Sequence, residues 1–252
     1  MERATVAGYE LTIVVPPSYG QTGKRYPVLY VQDQGDVIMQ SLNYIERLFR
    51  TNELDELIFV AIAPHDRRHD YTPWRAKGLL PNTPDFGGNG LAYLTDVAER
   101  IKPYVDRTYA TLPEAEHTGI GGCSFGGLIS LYALYYFPGV FGKLALISAS
   151  FWYEDLVSDM SGRKIESDPR IYMYVGELEG VYKTNIQRDM VPLTKKAHAL
   201  LLETGVKKEK LKFETDPEGT HDDLFFSPRM IEALRWLFGK GKQGGGSRNH
   251  SR

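Results

Sequence analysis

Short apolar runs alternate with stretches of helical periodicity along most of this chain. Residues 9–15 (YELTIVV) and 26–32 (YPVLYVQ) are rich in β-branched and aromatic side chains, and the polar, turn-forming PPSYGQTGKR between them predicts that the two strands form a hairpin. A helix is expected over about 37–49, then LIFVAIA (57–63), an apolar run of the kind that fills a fully buried parallel strand. Residues 64–90 lose all periodicity and are dense in charge, aromatics, Pro and Gly; a stretch of that length inside a compact domain is functional or mobile. A helix over 91–109 is expected to break at Pro103. Residues 118–122 read as a short buried strand, and Leu128, Leu131, Ala133, Leu134 and Phe137 recur at helical spacing until Pro138-Gly139 stops them. Three further strands, KLALISAS (143–150), RIYMYVG (170–176) and KLKFETD (210–216), are separated by a candidate cap segment, FWYEDLVSDM, and a helix over 187–204; a last helix covers 228–238. Strands alternating with helices of crossover length predict an α/β fold, a mostly parallel sheet with helices on both faces.

Length and charge narrow this picture. The 252 residues fit one α/β domain over 1–239 and a flexible Gly- and Ser-rich tail over 240–252. With 30 basic against 32 acidic residues the net charge is -2, which argues against a nucleic-acid partner. Cys123 is the single cysteine, so no internal disulfide forms. The opening MERATVAGYELTIVV lacks the pattern of a signal peptide, and no apolar run approaches the ~18 residues of a membrane span. A cytoplasmic protein with no membrane partner is expected.

The candidate chemistry sits where strand gives way to helix after residue 122. Gly122-Cys123-Ser124-Phe125-Gly126 is a G-x-S-x-G, the nucleophile elbow of the α/β-hydrolase fold, in which a sharp turn holds the serine hydroxyl clear of the backbone. Ser124 is the candidate nucleophile. Triad partners in this fold follow in the order Ser, Asp or Glu, then His. Of the later histidines, His198 lies inside a helix and His250 in the tail, whereas His221 lies in a loop between the last strand and the last helix. Imidazole, with an unperturbed pKa of about 6.5, can take the serine proton and return it to the leaving alcohol. The acid is sought after RIYMYVG, at Glu177 or Glu179. Glu179 is preferred because the turn after Gly176 carries the third residue towards the active-site face; Asp155 is a weaker alternative. The oxyanion hole needs two backbone donors, Phe125 N–H after the nucleophile and a second from Gln34 or Gly35.

Other constellations carry less. His65-x-x-x-His69 with Asp66 and Asp70 lacks the helix and the third ligand of a metal site, so neither metal nor cofactor is expected. Arg67, Arg68, Tyr71 and Trp74 of the same loop, with Trp152 of the cap segment, are candidate walls for an anionic aromatic substrate. Cys123 reads as a small filler in the elbow. Gly119-x-Gly121 lacks the third glycine of a dinucleotide fingerprint.

The residues together resemble the putative-esterase family of α/β-hydrolases, which includes enterobactin and bacillibactin esterases, feruloyl esterases and S-formylglutathione hydrolases. The likeness runs through YPVLYVQDQGD, HDRRHDYTPW, FGGNG, IKPYVDRTYAT, GIGGCSFGGLISLYAL, SASFW, YVGELEG and DPEGTHDDLFFSPRMIEALRWLF. The resemblance implies serine esterase chemistry on a small-molecule ester, with Ser124, His221 and Glu179 at the family's nucleophile, base and acid positions. Its nearest likeness is the bacillibactin-esterase branch, which implies a catecholate siderophore or another aromatic ester as substrate. One departure stands out: where relatives carry Asp-Gly after the third strand, this chain has Asp33-Gln34-Gly35. A catalytically silent binding protein and an acyltransferase are the rival readings; the complete Ser, acid and His set argues against the first.

Overall fold

A computed structural model describes residues 1–21 and 23–239; the tail expected over 240–252 lies outside the described residues. The chain opens with a hairpin of β1 (Glu2–Val6) and β2 (Tyr9–Val14), turned at Ala7 (φ 53°) and Gly8 (φ 87°), a two-residue turn with both residues left-handed. This corrects the expected hairpin: residues 9–15 pair backwards to β1, and the strand at 26–32 pairs elsewhere. β2 lies antiparallel to β4 (Ile58–Ile62), and β3 (Val28–Val31) runs parallel between β4 and β5 (Thr118–Cys123). β6 (Lys143–Ile147), β7 (Arg170–Gly176) and β8 (Leu211–Asp216) extend the parallel sheet, giving the order β1-β2-β4-β3-β5-β6-β7-β8.

Both faces of this sheet are covered. On one face pack α1 (Leu42–Arg50) and α7 (Asp223–Phe238), with Ile45, Leu48, Met230 and Leu234 against Leu29, Val31 and Phe59. On the other pack α2 (Gly90–Asp96), α3 (Lys102–Thr108), α4 (Phe125–Tyr136), α5 (Leu156–Ser161) and α6 (Met190–Glu203), with Tyr93, Val97, Leu128 and Leu131 against Val28, Tyr30 and Ile120. The expected break at Pro103 does not occur. A π-helical stretch, Val97–Ile101, joins α2 to α3, and Pro103 falls in the first turn of α3, where a missing N–H costs nothing. α7 begins earlier than expected, because the Asp222 side chain accepts from Leu224 N–H and starts the helix ahead of Pro228.

The aperiodic loop is mostly turns and irregular chain. It holds one short helical turn, Arg67–Asp70, and a two-residue ladder of Arg75–Ala76 with Phe86–Gly87. Among the described residues no helix is long and apolar enough to cross a membrane. The chain leaves β3 towards β4 on one side and returns to β5 on the other, so the sheet has a switch point at the carboxyl ends of β3 and β5, where a crevice forms.

Candidate active site

Ser124 stands at that crevice with φ 56° and ψ -118°, a conformation that costs on the order of 1–3 kcal/mol and survives only where its surroundings impose it. They do. Ser124 N–H donates to the Ile147 carbonyl at 3.0 Å, and the Ser124 carbonyl accepts from Ser150 N–H and Leu128 N–H, each at 3.0 Å. A Cβ at either Gly122 or Gly126 would lie 2.9 Å from Gln32 Cβ, so both flanks of the elbow require glycine. The hydroxyl held clear by this turn lies 3.1 Å from Nε2 of His221.

His221 sits in the loop between β8 and α7, and its Nδ1 is 2.7 Å from Glu179 Oε2. The histidine side chain is 36% exposed and that of Glu179 0%. A carboxylate so buried has to be hydrogen-bonded at both oxygens, and Oε1 accepts from the Ser148 hydroxyl at 2.5 Å and from Gly176 N–H at 2.9 Å. Nδ1 facing a fixed carboxylate carries the proton, which leaves Nε2 as the acceptor towards Ser124. This arrangement can draw the proton from a serine hydroxyl as it attacks and deliver it to a leaving group. Ser148 was not singled out from sequence, nor was Ser150, whose buried hydroxyl lies 3.3 Å from Ser124 Oγ. The stretch SASFW held both, but its polar positions read as the end of a strand.

The other candidates for acid and base lie elsewhere. Glu177 pairs with Lys195 at 3.0 Å, an exposed contact that holds its carboxyl below the usual range. Asp155 is exposed at the start of α5 with φ 59°. His198 stacks on Phe213 at 4.9 Å, and burial lowers its pKa.

After β3 the chain takes three left-handed residues in succession, Asp33 (φ 54°), Gln34 (φ 56°) and Gly35 (φ 75°). Their N–H groups have different partners. Asp33 N–H donates to the Tyr71 hydroxyl at 2.9 Å, Gly35 N–H to the Gln32 carbonyl at 3.0 Å, and the next, Asp36 N–H, to the Asp33 carbonyl. Among the described residues only the Gln34 N–H has no acceptor in this loop. Phe125 begins α4, so its N–H lies outside the helical ladder.

Of the expected substrate walls, Arg67 is half-buried at the edge of the catalytic crevice: its guanidinium forks onto the Asp33 carboxylate at 2.7 and 3.1 Å and lies 5.4 Å from the Phe125 ring. Tyr71 is fully buried behind the loop and is a correction to that expectation, since no substrate reaches it. Trp74 is half-buried; its Nε1 donates to the Glu154 carbonyl at 3.1 Å and its ring packs edge-on to Tyr132 against the core. Arg68 and Trp152 do face cavities. Arg68 borders one of about 380 Å³ with Phe125, Leu79 and Tyr182, and among the described residues its guanidinium has no hydrogen-bond or ion-pair partner. Trp152 borders one of about 490 Å³ with Phe86, Phe151 and Leu193. Ser124 and His221 themselves line a third, of about 410 Å³, with Asp33, Asp36 and Arg67. Burial, with Asp33 and Asp223 adding their charge, raises the pKa of Asp36. The same causes push the Cys123 thiol up, so it stays protonated beside the serine. His65 and His69 take separate roles: His65 stacks on Tyr9 at 4.0 Å, and His69 lies 3.8 Å from Asp66.

With this geometry in hand, comparison with known proteins finds the family described as Putative esterase matching residues 5–237. The chain belongs to that family. Membership makes it a carboxylic ester hydrolase of the α/β-hydrolase fold. Among its relatives, the uncharacterized protein YbbA of Bacillus subtilis is 34% identical over 92% of this chain and 93% of its own length. The iron(III) enterobactin esterase of Escherichia coli is 27% identical over 74% of this chain, which spans only 43% of that enzyme. Among solved structures, the IroE-like serine hydrolase of Shewanella oneidensis superposes with a TM-score of 0.78 at 21% identity, over 91% of this chain and 75% of that one; at that identity the likeness shows the fold.

Proposed function

We propose that this esterase works through an acyl-enzyme on Ser124. His221 takes the hydroxyl proton as Ser124 attacks the ester carbonyl, Glu179 fixes and stabilises the imidazolium, and the alcohol leaves with the proton; water then repeats the cycle in reverse roles. Phe125 N–H and Gln34 N–H stabilise the tetrahedral oxyanion. The observation that carries this reading is the unbroken chain from Ser124 Oγ to His221 at 3.1 Å and from His221 to the buried Glu179 at 2.7 Å. For the substrate we propose an ester with an anionic aromatic group, a catecholate siderophore being the leading example. Arg68, whose guanidinium has no partner among the described residues and which lines one cavity with Phe125, supports this, as does the name of the Escherichia coli relative. We place its work in the cytoplasm, where a protein with one cysteine and no disulfide keeps its thiol reduced.

Hydrolysis of p-nitrophenyl acetate and butyrate by wild type and Ser124→Ala, with intact mass after an organophosphonate probe, tests the mechanism. The expected result is turnover and a single adduct on Ser124 in wild type and neither in the variant. A folded wild type that neither turns over nor labels overturns it in favour of a binding protein. Loss of selectivity for a catecholate ester over p-nitrophenyl butyrate in Arg68→Gln tests the substrate.

A further inference from the structure

Of the three left-handed residues after β3, only Gly35 lacks a Cβ to strain, so Asp33 and Gln34 must be held in place from outside. One helical turn, Arg67–Asp70, and the tyrosine that follows it supply the hold. Arg67 forks onto the Asp33 carboxylate at 2.7 and 3.1 Å and also reaches the Cys123 carbonyl at 3.4 Å, so it ties the loop to the elbow. Tyr71, fully buried, accepts from Asp33 N–H at 2.9 Å. Its ring packs 5.3 Å from Tyr93, whose hydroxyl donates to the buried Gln32 side chain, and the Gln32 carbonyl accepts Gly35 N–H. Burial, with Asp33 beside it, pushes the Tyr71 phenol far up, so it stays neutral and its oxygen remains an acceptor. The loop is therefore pinned at both neighbours of Gln34.

We propose that Tyr71 is a positioning residue for ester hydrolysis: by accepting the Asp33 N–H it fixes the Gln32–Asp33 peptide, and with Asp33 held at φ 54° by the Arg67 fork the following Asp33–Gln34 peptide is set so that the Gln34 N–H faces the developing oxyanion. This rests on the esterase mechanism above. An N–H aimed at charge that exists only in the transition state raises kcat and leaves substrate binding alone.

The test compares wild type, Tyr71→Phe and Tyr172→Phe on p-nitrophenyl butyrate. Tyr172 is the control, an equally buried tyrosine whose hydroxyl donates to Glu214, away from the loop. Loss of one oxyanion donor costs ~10²–10³-fold in kcat, and a misaimed one somewhat less, so Tyr71→Phe is expected to lower kcat about 10- to 100-fold with KM within about twofold. The inhibition constant of 1-butylboronic acid, which forms a tetrahedral adduct on the serine, should rise by the same factor, and Tyr172→Phe should change none of these. Should Tyr71→Phe fail to fold, Arg67→Lys, which keeps the charge and loses the fork, is expected to give the same kcat-selective signature. The proposal is overturned if kcat is unchanged, if KM moves with it, or if Tyr172→Phe behaves alike. A wild type without turnover brings down the esterase mechanism and this role together, whereas an active wild type with an indistinguishable Tyr71→Phe removes this role alone.

Discussion

Two glutamates follow β7 two residues apart, and their surroundings give them opposite work. Glu177 points to solvent and Lys195, where an exposed ion pair contributes little. Glu179 is fully buried and spends one oxygen on His221 and the other on Ser148 and Gly176. Glu179→Gln keeps the volume but offers an amide to Nδ1, which favours the wrong imidazole tautomer. The expected loss in kcat is about 10³–10⁴-fold, with Glu177→Gln near wild type. Equal losses in the two variants, measured on p-nitrophenyl butyrate, would contradict the assignment. Ser148→Ala removes a hydrogen bond to a charged group worth about 1.5–3 kcal/mol, so kcat should fall roughly 10- to 100-fold while Ser124 still labels with phosphonate. Sequence reasoning reached the choice between the glutamates from the turn after Gly176. It did not reach Ser148, because nothing in a hydroxyl at a strand end tells which carboxylate will fold against it.

At the scale of elements, the elbow and the oxyanion loop are one packed unit. A Cβ at Gly126 would meet Gln32 Cβ at 2.9 Å and Asp33 Oδ2 at 3.2 Å, so Gly126→Ala pushes α4 away from the very loop that carries Gln34. Overpacking of this kind costs about 1–3 kcal/mol; the expected result is a lower Tm together with a loss of activity larger than the stability change explains. A variant with reduced Tm and full kcat would separate the two elements. The strands, the elbow and the helices after it were legible because buried parallel strands and amphipathic helices write their periods into the chain. The first hairpin was not, since a pairing partner is a property of two segments, and β1 carries no strong apolar period: its residues are exposed or half-buried. Pro103 misled for a related reason. Its cost depends on whether the preceding turn needs its N–H, and a π-helical turn there does not. Tyr71 was read as an exposed wall because an aperiodic loop hides which of its aromatics turn inward.

For the whole molecule, acid should act in two separable steps. Burial works to raise the carboxyl of Glu214 at the end of β8, but Lys212, Tyr172 and Arg229 outweigh it and hold it low. Arg229 of α7 and the Glu218 N–H likewise hold Asp216 low. A carboxylate whose folded pKa is depressed stabilises the fold fully above its unfolded value, about 4, and loses that contribution as the pH falls through the folded value. The ion pairs of Arg229 with Glu214 and Asp216 tie β8 to α7 on either side of the His221 loop, so the loop should keep its place well below neutrality. The reaction has a different requirement, because an imidazolium at His221 cannot accept the Ser124 proton whatever its position. Tm is therefore expected to stay nearly level on acidification until about pH 4, where the paired carboxylates take up protons, and any loss of kcat/KM above that pH reports protonation at the active site rather than unfolding. Thermal melts and initial rates over the same buffers decide it. Rate and Tm falling together would mean that acid inactivates this enzyme by unfolding it, and a Tm that already falls between pH 8 and 5 would contradict the stabilising role of these pairs.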